Sequence, residues 1–345
     1  MHFSEKVLKW YGENKRELPW RNTRDPYKIW LSEIILQQTR VAQGTPYYFK
    51  FVEAFPTVYD LANAPEEKVL KLWQGLGYYS RARNLHATAK MVVADFGGEF
   101  PTSYEGLKKL KGVGDYTASA IASICFDIPE PVVDGNVYRV LSRYFGVTLP
   151  INSTKGAKYF KELAREVMNT DNIRDYNQGI MEFGAIQCAP KKPYCLLCPL
   201  NDSCVALNED RVQELPVKLG KVKLKHRYFN YIVILDSNQN TLMEQRTGKG
   251  IWQNLYQFPL FETEDTADEN MILEEVKQRA YGKQLDSLTL FNETAVIHKL
   301  SHQHLHTQFW ILRLSEKMEG GISWKDIGSF AVPVLIADFI KTFKI

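Results

Sequence analysis

The chain has 345 residues, 45% hydrophobic and 24% charged, with a formal net charge of +3. This is the composition of a globular protein, and it excludes a disordered, collagen-like or disulfide-stapled chain; the length allows two domains, each with its own core. No run is long and apolar enough to span a bilayer, and residues 1–6 lack the basic flank and apolar stretch of a secretory signal, so the expected location is cytoplasmic, or nucleoid-associated in a bacterium.

Residues 1–207 carry a formal charge of +4, residues 208–227 carry +3 and residues 228–345 carry −4. A basic front with an acidic rear suits a chain that meets a polyanion with its first part. Within 1–207, apolar residues recur at helical spacing in Val7-Leu8-Trp10, Ile29-Trp30-Ile34-Ile35 and Val137-Val140-Leu141, punctuated by Pro56, Pro65, Gly75, Gly112 and Pro129. A mainly α domain is predicted there. Residues 208–227, with Pro216, Gly220 and the spaced Lys218, Lys221, Lys223 and Lys225, read as a linker that could track a phosphate backbone. From 228 the pattern turns to β. Residues 228–235 read as a strand, 236–240 as a turn and 241–246 as its partner strand. Further strands are predicted at 287–297 and 307–314, with helices at 270–281 and 333–343. That makes a smaller α+β domain over 228–345.

Two carboxyl groups stand out. Glu33 lies within Ile29-Trp30-Leu31-Ser32-Glu33-Ile34-Ile35-Leu36. Apolar surroundings solvate an anion poorly, so its pKa should rise and make it a proton donor near neutral pH; a solvent-facing glutamate on an amphipathic helix is the plain alternative. Asp134 stands where an N-cap would stand, before Gly135-Asn136-Val137, and a helix dipole there favours the ionised form; a purely structural cap is the alternative. One carboxyl placed to be protonated and one to stay charged is the division that glycosidic cleavage needs.

Residues 107–120 read as helix, Gly112-Val113-Gly114 turn, helix. Backbone N–H groups at such a turn can approach a phosphate closely, with Lys108, Lys109 and Lys111 adding charge; a plain helix–helix connection is the alternative. In Leu36-Gln37-Gln38-Thr39-Arg40 and Gly75-Leu76-Gly77-Tyr78-Tyr79-Ser80-Arg81-Ala82-Arg83-Asn84, amides can fill the gap left by an extruded base, aromatics can stack and arginines can hold phosphates. Cys188-x6-Cys195-x2-Cys198-x5-Cys204 places four soft thiolates in one short proline-rich loop. Zinc and [4Fe–4S] both satisfy that chemistry. Cys125, in an apolar run, reads as a core residue.

These residues together resemble the adenine DNA glycosylases of the MutY type, within the helix–hairpin–helix superfamily, over essentially the whole chain. The motifs are Leu18-Pro19-Trp20-Arg21, Ser32-Glu33 through Gln37-Gln38-Thr39, Gly75 through Asn84, Gly112-Val113-Gly114-Asp115-Tyr116-Thr117-Ala118, Val133-Asp134-Gly135-Asn136-Val137 and Met181-Glu182-Phe183-Gly184-Ala185. The resemblance implies a [4Fe–4S] cluster on Cys188, Cys195, Cys198 and Cys204. It implies that Glu33 protonates N7 of a flipped adenine, that Asp134 stabilises the oxocarbenium-like sugar, and that Tyr116 and Asn136 position the reacting groups. It places Arg21, Gln38, Thr39, Tyr78, Ser80, Arg81, Arg83, Lys111, Gly112 and Gly114 on the DNA. The partner implied is double-stranded DNA with A:8-oxoguanine or A:G mispairs, bound by a monomer.

Endonuclease III-type relatives hold a lysine nucleophile where this chain has Tyr116, so strand cleavage through a Schiff base is not expected. The run Gly248 to Pro259 resembles the family's Nudix-like domain, but the metal-binding signature of active Nudix hydrolases is missing near Glu274-Glu275. Lys299-Leu300-Ser301-His302 resembles the family's Phe-Ser-His element with Leu300 in place of Phe, which implies that Ser301 and His302 read 8-oxoguanine. His298, His302, His304 and His306 alternate as on a surface strand, with a metal site as the lesser reading. Three rival functions remain: a glycosylase for thymine mispairs or oxidised pyrimidines, a non-catalytic DNA-binding protein, and an active Nudix hydrolase.

Overall fold

The computed structural model describes residues 2–220 and 224–345. The chain divides into two compact units, one of Met1–Asn63 with Asn84–Gly220 and the other of Ala64–Arg83 with Lys221–Ile345.

In chain order the helices are α1 (Phe3–Asn14), α2 (Pro26–Leu36), α3 (Val41–Ala54), α4 (Val58–Asn63), α5 (Glu66–Trp73), α6 (Ser80–Phe96), α7 (Tyr104–Lys108), α8 (Asp115–Phe126), α9 (Gly135–Phe145), α10 (Thr154–Val167), α11 (Ile173–Ile186) and α12 (Val205–Asn208). Helices α2 and α8 form the centre of the first unit. Both are buried over most of their length, and Ile29, Trp30, Leu31, Ile35, Ala118, Ile121 and Ala122 are all at most 2% exposed. Each large side chain buried this way contributes roughly 1.5–3 kcal/mol. Asp25 caps α2 by accepting from the Tyr27 N–H, and Pro26 supplies the fixed φ of a first helical turn. The expected helical domain is present.

The boundaries differ from those predicted at 207 and 228. Residues 208–220 belong to the helical unit, because their backbone is hydrogen-bonded to it. The Leu215 carbonyl accepts from Arg143 Nε at 3.1 Å, and the Val217 carbonyl accepts from the Ile151 N–H at 3.0 Å. Lys221 and Lys223 lie outside the described residues, and Lys225 already opens a strand.

In the second unit, residues 64–83 pack with the C-terminal domain. Lys71 Nζ donates to the carbonyls of Gly328 (2.6 Å) and Phe330 (2.8 Å), and Asn254 Nδ2 donates to Glu66 Oε1 at 2.6 Å. The strands are β1 (Lys225–Leu235), β2 (Asn240–Thr241), β3 (Glu244–Gln245), β4 (Tyr256–Gln257), β5 (Leu260–Thr263), β6 (Leu285–Leu290), β7 (Val296–Lys299), β8 (Gln303–Leu314) and β9 (Ile322–Ser323), and β1, β5, β6, β7 and β8 form the main sheet. Strands β1 and β8 run parallel at its centre; β5 flanks β1, while β6 and β7 flank β8, all antiparallel. One face packs Ile232, Ile234, Trp310 and Leu312 against Ile272 and Val276 of α13 (Glu269–Lys277). On the other face Phe309 stacks on Phe339 of α14 (Val334–Thr342), with ring centroids 4.2 Å apart. Burial on both faces explains why β1 reads as a nearly continuous apolar run.

Two predicted strands are revised. Residues 241–246 do not pair with β1. Asp236 accepts from the N–H groups of Asn238, Asn240 and Met318, which turns the chain away so that β2 pairs with β9 and β3 with β4. The single strand predicted over 287–297 is two, β6 and β7. Between them the Asn292 side chain stands in for a ladder residue, accepting from the Phe309 N–H and donating to the Thr307 carbonyl.

Candidate active site and cysteine loop

Glu33, Tyr116, Asp134 and Asn136 come together within the helical unit. Glu33 faces inward from α2 and is 9% exposed. The Tyr116 hydroxyl, from the first turn of α8, donates to Glu33 Oε2 at 2.6 Å and lies 3.3 Å from Met181 Sδ. Burial pushes the Glu33 carboxyl up to about 7; the Tyr116 hydrogen bond opposes this and the neighbouring charge of Asp134 adds to it. Glu33 is thus buried, as expected from its apolar run.

Asp134 is the N-cap of α9. Its Oδ1 accepts from the N–H groups of Asn136 (2.9 Å) and Val137 (2.8 Å), and its Oδ2 accepts from Asn136 Nδ2 at 2.8 Å. An N-cap alone would lower its pKa. Burial instead raises it, against the pull of these three donors and of Arg139. The difference between the two acids lies in their partners: three N–H donors hold the Asp134 anion, whereas a phenol meets Glu33.

Asn136 acts on Asp134, and Arg139 acts on Asn136. Arg139 Nη2 donates to Asn136 Oδ1 at 2.9 Å and to the Gly184 carbonyl at 2.6 Å, and its Nε donates to the Cys188 carbonyl at 2.8 Å. Gly184 permits this approach, since a Cβ there would stand 2.7 Å from Asn136 Cβ. One turn later Arg143 donates to the carbonyls of Ala189 and Pro190. Helix α9 thus presents Asp134 at its start and grips the cysteine loop along its side. Cys188, Cys195, Cys198 and Cys204 line one cavity with Arg143, Pro193 and Leu207. Among the described residues no three of His, Cys, Asp or Glu are grouped as a single metal ion requires. This holds also for His226, His304 and His306, which share one face of β1 and β8.

The hairpin is exposed at Lys111, Gly112 and Gly114, while Val113 is buried beneath it. Gly112 has φ 77°, and a Cβ would meet Asn84 Cβ at 2.8 Å, so glycine is required. Gly114 is the N-cap of α8 and its Cα faces open space. Gln38, exposed with φ 58°, and Thr39 follow directly on α2.

Two arginines placed on DNA by the resemblance are instead turned into the fold. Arg21 pairs with the buried Glu182, with Nη2 to Oε2 at 2.8 Å, alongside Arg16 at 2.7 Å. Arg81 is 9% exposed, donates to the Leu76 and Gly77 carbonyls at 3.2 Å and lies over the Trp73 and Tyr78 rings. Both build the loops they stand on. Arg83 is half-buried and donates to the Gln253 carbonyl, and Ser80 is exposed at the start of α6.

Within the second unit, Tyr78, Arg83, Ile251, Trp252, Ser301 and His302 line a cavity of ≈ 360 Å³. The hydroxyls of Tyr78 and Ser301 are hydrogen-bonded. Ser301 and His302 form the exposed turn between β7 and β8. Glu182 and Gln37, whose amide donates to Thr117 Oγ1 at 3.2 Å, lie in the motifs quoted above but, like Arg139, have no individual role assigned from the sequence. A signal existed for Glu182, an acid inside the apolar run Ile180-Met181-Glu182-Phe183, as for Glu33.

No helix among the described residues is long and apolar enough to cross a membrane. Residues 31–166 match the model of the HhH-GPD superfamily of base excision DNA repair proteins, and residues 230–342 match that of the NUDIX domain. An adenine DNA glycosylase of Buchnera aphidicola subsp. Schizaphis graminum is 38% identical over 305 residues, covering 88% of this chain and 85% of that one. The human adenine DNA glycosylase is 42% identical over 222 residues, 62% of this chain and 41% of the relative. Among solved structures, a thermostable thymine-DNA glycosylase superposes with a TM-score of 0.56 at 34% identity, covering 60% of this chain and 95% of its own. With both domain models matched and a relative 38% identical over most of both chains, this chain belongs to the adenine DNA glycosylases.

Proposed function

We propose that the enzyme hydrolyses the N-glycosidic bond of adenine mispaired with 8-oxoguanine or guanine, by flipping the adenine out of the duplex and protonating it from Glu33. The observation that carries this reading is the buried Glu33 carboxyl, raised to about 7 and held by Tyr116 beside Asp134. At neutral pH such an acid is partly protonated and can pass its proton to N7 of the base. The C1′–N9 bond then breaks, its electron pair leaves with the base, and the sugar becomes an oxocarbenium-like cation. Asp134, presented as an anion by its three donors, stabilises that cation, and a water molecule adds at C1′ and gives its proton to the Glu33 carboxylate, which restores the acid. Asn136 is a positioning residue for Asp134. No amine stands at Tyr116 to trap the sugar, so the strand stays intact. Flipping costs a few kcal/mol of unstacking, less at a mispair.

The exposed hairpin from Lys111 to Gly114 offers N–H groups and the start of α8 to a phosphate. In the second unit, Tyr78, Ser301 and His302 supply an aromatic face and polar tips for the lesion, and Leu300 gives that wall an aliphatic rather than a stacking contact. The test is base release: free adenine from an A:8-oxoguanine duplex without strand nicking is expected, and release of thymine from a G:T duplex in its place would overturn the assignment.

The cysteine loop fits a [4Fe–4S] cluster. Four thiols line one cavity, and the donor set is wholly soft. When bound, the cluster would cross-link Cys188, Cys195, Cys198 and Cys204 and stiffen the loop gripped by Arg139 and Arg143. Purified protein is expected to carry about four irons and four sulfides per chain. A Cys198→Ser variant should lose most of both, and zinc at one equivalent in place of iron would refute the assignment.

Tyr116→Phe removes the donor that favours the Glu33 anion. The Glu33 pKa should therefore rise, moving the alkaline limb of the rate–pH profile to higher pH. Single-turnover rates from pH 6 to 9 measure this; a limb that moves to lower pH would contradict it.

A further inference from the structure

Lys161, in the middle of α10, is a cation that the reaction described above does not use. Its side chain is 16% exposed. Its Nζ lies 2.8 Å from Ser119 Oγ, 2.8 Å from the Pro131 carbonyl and 3.0 Å from Asp115 Oδ2. An ammonium has three protons, and these three acceptors take all of them. Glu130 Oε2 stands farther off at 3.7 Å and is shared with Arg165, and the Tyr104 ring lies 5.4 Å away.

The acceptors belong to two parts of the site. Asp115 opens α8 directly after Gly114, and its carboxylate also accepts from the Tyr104 hydroxyl. Ser119 lies one turn further on, on the same face of that helix. Pro131 is three residues before Asp134, in the extended segment that delivers it. One ammonium therefore joins the end of the hairpin to the backbone that carries the sugar-facing carboxylate.

We propose that Lys161 is a positioning residue that sets the distance between the hairpin and Asp134, and so between a gripped phosphate and the reacting sugar. The inference rests on the reading of Asp134 and the hairpin given above. Its physical basis is the steep cost of misalignment: a displacement of about 1 Å at a reacting group can cost ~10²-fold in rate. Segment 130–132 has a second hold. Asn177 donates to the Glu130 carbonyl at 2.8 Å and accepts from the Val132 N–H at 3.3 Å, so loss of Lys161 should loosen the segment without unfolding it.

The full-length protein carries the test. Adenine release from an A:8-oxoguanine duplex is followed under single-turnover conditions. Affinity is measured on the same duplex bearing a cleavage-resistant 2′-fluoro adenine nucleotide. Lys161→Gln should slow release by roughly 10- to 100-fold while affinity changes by no more than about 3-fold. Adding Asp115→Asn removes the charge left behind and should not restore the rate. Restoration would mean that Lys161 only balances charge, and the proposal would fail. It would fail equally if K161Q kept the wild-type rate while Asp134→Asn was inactive. A wild-type rate in D134N would instead overturn the underlying reading of Asp134. Should K161Q not fold, Ser119→Ala removes one strut without touching charge, and a rate unchanged from wild type would count against the inference.

Discussion

Glu33→Gln is expected to lower the single-turnover rate of adenine release by about 10³-fold while leaving duplex affinity nearly unchanged, because a general acid of this kind supplies ~10²–10⁴-fold. The same substitution should stabilise the protein in a pH-dependent way. The folded-state pKa of Glu33 is raised from 4.5 to about 7. The folded state therefore holds this proton more tightly than the unfolded chain. Stability from that preference is full below about pH 4.5 and is lost as pH rises through about 7. Glutamine stays neutral throughout, so at pH 8 E33Q should be the more stable protein by up to about 3 kcal/mol. The gain should disappear near pH 4.5. Denaturant titrations at the two pH values measure it. An E33Q protein with wild-type rate, or one destabilised at pH 8, would show that Glu33 is not a buried acid. The proposed acid is thus expected to cost the fold stability.

The second large effect concerns a residue outside the chemistry. Glu182 is 2% exposed and accepts from the Arg16 N–H (3.1 Å), from Arg16 Nε and Nη2 (2.7 Å each) and from Arg21 Nη1 (3.2 Å) and Nη2 (2.8 Å). It pins the chain between α1 and α2 to α11, next to Met181, which touches the Tyr116 hydroxyl. Although burial alone would raise its pKa, the two guanidinium groups hold the carboxyl down at about 2. Glu182→Ala leaves two cations without their shared anion, and breaking such a buried pair costs about 3 kcal/mol. For a unit of this size that corresponds to a fall in Tm of roughly 10 °C, read by thermal denaturation. The sign of the pH dependence is opposite to that of Glu33. The stabilisation is present above about pH 4.5 and is lost as pH falls toward 2. An E182A protein melting within a degree of wild type would refute the network.

The surroundings of the candidate site residues are legible where local sequence decides the environment. Glu33 stands in an eight-residue apolar stretch that any helix would bury. Asp134 precedes Gly135-Asn136 as an N-cap does, and its side chain does accept from residues two and three places on. The four cysteines fall within one loop, so no long-range folding is needed to gather them. An arginine in a polar loop reads as a phosphate ligand, and the intramolecular partners of Arg21 and Arg81 are not legible there. Arg21 finds an acid 161 residues away, and Arg81 finds its own loop's carbonyls. The strands misled for a related reason. The 236–240 turn suggests a hairpin, and only the pairing of β1 with the distant β5 on one edge and β8 on the other shows that the hairpin partner's place is taken.

From the sequence alone come the two-part architecture, the pair of unlike acids, the glycine turn and the thiol loop, because each depends on neighbours within a few residues. The tertiary structure decided which groups meet: Tyr116 with Glu33 across 83 residues, Arg139 between Asn136 and the cysteine loop, Lys161 between Asp115 and Pro131. Hydrogen bonds and ion pairs at 2.6–3.0 Å depend on where separate helices pack, and helix packing is fixed by core side chains that carry no mark of the polar contacts they bring together.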